Sequence, residues 1–99
     1  MGTKELKLLQ QIEEKGTQLV KEGVIAHFYV NTYSEVFLEQ LEYENGIHEC
    51  HAAKEIVSCS YRPKEHTSSQ YNSYIRVLCD ERNLKLLLHG LEPLLKKEL

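Results

Sequence analysis

The densest run of metal-ligating residue types in this chain is His48, Cys50 and His51, followed by Cys59 and His66. Zinc is held by such Cys and His side chains. On a strand, His48 and Cys50 share a face and His51 points away. There is no Cys-x-x-Cys knuckle, and the gaps fit no common zinc module. The spacing therefore favours a packed thiol with surface histidines. A metal or catalytic site on His48, Cys50 and His51 is the lesser alternative.

Nucleophilic catalysis needs a nucleophile, a base and an orienting group within reach of one another. Cys50 lies between two histidines, but strand geometry separates them. Ser68 and Ser69 sit in a polar stretch without a nucleophile-elbow motif. The glycines are scattered, so no phosphate-cradling loop is formed. The sequence thus argues against an enzyme and calls for no cofactor.

A second constellation is basic and aromatic: Tyr61, Arg62, Lys64, His66, Tyr71, Tyr74 and Arg76. Tyrosine and arginine are preferred anchors of protein interfaces. The same types can stack a base and pair with phosphate. Tyr61, Arg62, Lys64, Tyr71, Tyr74 and Arg76 are accordingly the candidate binding residues. A protein is the expected partner, and a nucleotide or small anion is the alternative. A net charge of −3 gives no general pull toward long nucleic acids or anionic membranes.

Charge is unevenly spread. Residues 34–55 hold Glu35, Glu39, Glu42, Glu44, Glu49 and Glu55 against Lys54 alone. Residues 56–79 are basic, with Arg62, Lys64 and Arg76 against Glu65 up to Leu78. An acidic and a basic segment on one sheet suit pairing between copies, and a small domain gains stability by it, so a homodimer is expected.

The elements that would position these residues follow from periodicity. Leu8, Leu9, Ile12, Gly16, Leu19 and Val20 recur at helical spacing, which predicts an amphipathic helix over residues 3–22. Thr3 is its expected N-terminal cap and Gly23 its C-terminal one. Gly16 on the apolar stripe would permit close packing against a sheet. Val24 to Tyr33 reads as a strand, with Val24, Ala26, Phe28 and Val30 alternating against Ile25, His27, Tyr29 and Asn31.

Residues 35–44 could be a short helix or a strand. Asn45-Gly46 is a strong hairpin signal. With that turn, Tyr43 faces His48, Leu41 faces Cys50 and Glu39 faces Ala52. The hairpin separates apolar from charged residues more cleanly than a helix does, so it is the reading adopted. Ile56 to Arg62 and Tyr71 to Cys79 are further strands, the first ended by Pro63. Leu84, Leu87, Leu88, Leu91 and Leu95 mark a helix over residues 81–98, interrupted by Gly90 and Pro93.

The expected fold is one α+β domain over residues 1–99. An N-terminal helix precedes an antiparallel sheet of four to five strands, and a C-terminal helix kinked near Gly90-Pro93 follows. Both helices lie on one sheet face. No apolar run approaches the length of a membrane span, and the N-terminal residues lack a signal-peptide pattern. The odd set Cys50, Cys59 and Cys79 reads as reduced thiols, which places the chain in the cytoplasm. The functional expectation is a small non-catalytic binding or regulatory protein of adaptor, inhibitor or immunity type.

Overall fold

The computed structural model describes residues 2–43, 46–66 and 68–98. The element order is α1 (Thr3–Lys21), β1 (Ile25–Tyr43), β2 (Gly46–Pro63), a short 3-10 turn (Ser69–Tyr71), β3 (Ser73–Leu78) and α2 (Glu81–Glu98). The sheet is antiparallel with strand order β1-β2-β3. The fold is α+β as the sequence predicts, but among the described residues the sheet has three strands in place of four or five. The expected strands 24–33 and 35–44 are one strand, and so are the segments on either side of residues 54–55. Nothing between Val24 and Tyr43 or between Ile47 and Arg62 is Gly or Pro, so neither strand meets a residue that would break it.

The helix α1 buries Leu8, Leu9, Ile12, Gly16 and Leu19. Its N-cap is Gly2, which has no side chain to cap with, so Thr3 begins the helix rather than capping it. At the other end, Gly23 adopts φ 76°. Its N–H donates to the Val20 carbonyl at 3.1 Å, and the Val24 N–H donates to the Leu19 carbonyl at 3.0 Å. These two bonds form a Schellman cap, satisfying carbonyls the helix end would leave open. The helix α2 buries Leu84, Leu87, Leu91 and Leu95 and continues through Gly90 and Pro93 as one helix.

Leucines of both helices join Ile25, Val57, Cys59 and Tyr61 in one apolar cluster. Val57, Cys59 and Tyr61 alternate along β2 and so share one face, which puts both helices on that face. Phe28 and Val30 of β1 and Ile75 and Val77 of β3 complete it by their register opposite Tyr61, Cys59 and Val57. An ion pair between Lys15 and Glu92 ties α1 to α2.

Two registers differ from the sequence expectation. The β1–β2 pairing slips between Ile25 and His27. Ile25 therefore joins Phe28 and Val30 in the core, whereas strict alternation puts it on the other side. At the hairpin, Tyr43 stands opposite Gly46, Leu41 opposite His48 and Glu39 opposite Cys50. Gly46, at φ 123°, belongs to β2, so the chain reverses closer to the tip than the expected pairing requires. The slip is of two residues, so each residue keeps its expected face. Asn45, and with it the turn type, lies outside the described residues.

Candidate functional site

With both helices on one face, the other face of the sheet is open. The register builds it in rows across the three strands. Tyr33, Ile56 and Leu78 form one row, Asn31, Ser58 and Arg76 the next, and Tyr29, Ser60 and Tyr74 the third. The middle strand is shielded by its neighbours: Ile56 is 6% and Ser58 9% exposed. The flanking residues stand clear, with Tyr29 at 58%, Tyr74 at 59% and Leu78 at 39%. The result is a floor of Ile56, Ser58 and Ser60 between two raised, aromatic-bearing margins.

One end of this face holds a shallow concavity of about 360 Å³, lined by Tyr33, Glu35, Phe37, Lys54, Ile56, Arg76, Val77 and Leu78. Glu35 stands opposite Lys54 in register, and the Lys54 ammonium lies 5.6 Å from the Phe37 ring centre. The Arg76 guanidinium lies 5.8 Å from the Tyr74 ring centre. Both cations are within cation–π range of an aromatic ring, which holds a flexible side chain over the face it serves. A larger polar groove of about 600 Å³ lies along Lys15, Leu88, His89, Glu92, Pro93 and Lys96. Its charged groups are paired with one another: Glu92 meets both Lys15 and Lys96.

The candidate binding residues divide into three places. Tyr74 and Arg76 are on the open face, and Arg62 follows Ser60 on that side of β2 opposite His27. Tyr61 is 5% exposed and lies in the core opposite Phe28, because it keeps the alternation of Val57 and Cys59. Lys64 and Tyr71 belong to the connection between β2 and β3. There Tyr71 stacks on His66, with ring centres 4.0 Å apart and planes 16° from parallel. The basic and aromatic residues therefore meet as a pair at Tyr74 and Arg76 and as a separate stacked ring pair in the loop.

Of the metal candidates, Cys50 stands opposite Glu39 and His51 opposite Leu38, on opposite faces of β2. The His48 side chain lies outside the described residues. Among the described residues, no group of three or more His, Cys, Asp or Glu is close enough to hold a metal ion. Cys50, Cys59 and Cys79 are free thiols. Burial pushes the Cys59 thiol up to about 11, and burial followed by the nearby Glu55 carboxylate raises that of Cys79. Both shifts favour the protonated, unreactive thiol.

Tyr29, Tyr33, Ile56 and Leu78 are part of this face, and residue type alone does not mark them for it. Only the β1–β2–β3 register brings them beside Tyr74 and Arg76. Among the described residues, no helix is long and apolar enough to cross a membrane. No family model, no curated protein and no solved structure matches this chain.

Proposed function

We propose that this chain is a small non-catalytic binding protein, of adaptor, inhibitor or immunity type, that holds another protein on its open sheet face. The observation that carries the reading is the row structure of that face: a shielded Ile56 and Ser58 flanked by raised Tyr29, Tyr74 and Leu78, with Arg76 beside them. Tyrosine offers a large contact area with few rotatable bonds, and arginine offers a directional donor, so both bind at low entropic cost. A fitting partner presents an apolar side chain to Ile56 and Leu78 and a carboxylate to Arg76.

The experiment is affinity capture followed by substitution. Tyr74→Ala and Arg76→Ala should each abolish capture of the bound protein, while Leu86→Ala, at a residue 64% exposed on α2, should retain it. Equal capture by all three variants would refute the reading.

A further inference from the structure

The hairpin outruns the rest of its sheet. β3 covers β2 from Ile56 to Tyr61, and one bond from the Cys79 N–H to the Glu55 carbonyl, 2.9 Å, extends that cover by a residue. From Gly46 to Lys54, β2 pairs with β1 on one side and with no described strand on the other. The molecule is accordingly 57 Å long and 31 × 21 Å across. A two-stranded hairpin alone is marginal in water. This one nevertheless continues with Val36 and Leu38 standing 62% and 55% exposed.

The two edges of this arm differ. Along the stretch of β1 beside this arm the sequence holds Glu35, Glu39 and Glu42 and no lysine or arginine. The β2 edge from Gly46 to Lys54 carries one acid, Glu49, and one lysine, Lys54, and no proline. The bond from Cys79 also fixes the direction of its backbone. The Glu55 carbonyl points away from β1, so the N–H and C=O groups of Ala53, His51 and Glu49 point the same way. The β2 edge is an outward ladder whose one acid and one lysine balance, while the β1 stretch beside it is acidic throughout, so self-pairing sets like charges together on β1 and not on β2.

We propose that a second copy of this chain fills the vacancy, with β2 antiparallel to β2 across a two-fold axis at Cys50. The register follows from the length of the free edge. Gly46 to Lys54 is centred on Cys50, and pairing about that centre uses the whole edge in both copies before Cys79 intervenes. It sets Glu49 of each copy opposite His51 of the other, acid against base, twice. The joined arms form a β1-β2-β2-β1 sheet with about 30 Å of new ladder. The axis is perpendicular to the sheet, so the open faces of both copies lie on one side. The pairing uses an edge rather than that face, and it stands whether or not the face binds a partner.

Sedimentation equilibrium tests the pairing. The wild-type chain should be a dimer at tens of micromolar. His51→Pro removes an outward N–H and leaves the β1–β2 ladder intact, so it should give a monomer. Leu38→Pro makes the same change on the β1 edge and should leave the dimer. Should His51→Pro fail to fold by circular dichroism, His51→Glu sets like charges across the axis and should weaken the dimer at least tenfold. Diamide oxidation should crosslink the wild type through Cys50. Two thiols become one disulfide, and their two protons and two electrons pass to diamide. Tyr74→Ala should not change the oligomeric state. A wild-type monomer at about 100 µM, a dimer of full affinity in a folded His51 variant, or crosslinking through Cys79 instead of Cys50 would overturn the proposal.

Discussion

The ring of Phe28 on β1 occupies the space that a side chain on Gly16 of α1 would need: a Cβ built there overlaps the ring. The backbone of the helix lies directly against the ring at this point. Gly16→Ala gains helix propensity of about 1 kcal/mol, but the ring must move within a packed core. Overpacking costs about 1–3 kcal/mol, and the net effect is destabilising. A fall in melting temperature of several degrees is expected. A second substitution, Phe28→Ala, should make the Gly16 change harmless, and a double-mutant cycle by thermal melts checks the coupling.

On the open face, Ile56 and Tyr74 should separate stability from binding. Ile56 is buried although no helix covers it, so Ile56→Ala should cost about 2–4 kcal/mol. Tyr74 is exposed, and Tyr74→Ala should stay within about 0.5 kcal/mol of the wild type. Chemical denaturation of both variants checks this. A destabilised Tyr74→Ala would mean that any loss of capture reports misfolding.

Glu92 links folding to acid. Hydrogen bonds from Lys15 and then from Lys96 hold its carboxyl down at about 2. An unfolded glutamate titrates near ~4.3. The folded-state value is the lower one, so the contribution to stability is present above the unfolded value and is lost as pH falls toward about 2. Glu92 is only half-buried, so the effect is small and sensitive to salt. Wild type and Glu92→Gln should differ at pH 6 in low salt and converge as pH approaches 2, as followed by denaturant midpoints.

Cys59 should resist thiol reagents. Its side chain is fully buried, and its thiol is pushed to about 11. Iodoacetamide at pH 8 should label Cys50 and Cys79 before Cys59, read by peptide mass spectrometry. Above about pH 9, an unfolded thiol ionises while the folded one keeps its proton, so stability should fall as pH rises from there. Cys59→Ala should flatten that slope while lowering stability at neutral pH.

Much of this fold is legible in residue order. The leucine stripes give both helices to within a residue or two, and Gly16 at the apolar stripe signals the close approach that Phe28 makes. The alternation of Ser73, Ile75 and Val77 against Tyr74, Arg76 and Leu78 gives the two faces of β3. What is illegible depends on partners. No residue type marks the slip between Ile25 and His27, which turns Ile25 toward the core. Tyr61 and Tyr74 look equivalent by type, and only the position of β2 under the helices sends one inward. The strand count is too high because a change in composition near residues 34 and 54 resembles a boundary, yet backbone pairing continues across it.

The nested β1–β2 register also shapes how this chain folds. Each pair from Tyr43–Gly46 down to Ile25–Pro63 closes a loop only slightly longer than the pair before it, so the sheet can zip outward from a single reversal at little entropic cost per step. The Lys15–Glu92 contact spans most of the chain and has no such ladder leading to it. The docking of α1 onto α2 thus relies on the sheet to bring their ends together, and the helix pair is expected to assemble after the ladder it rests on.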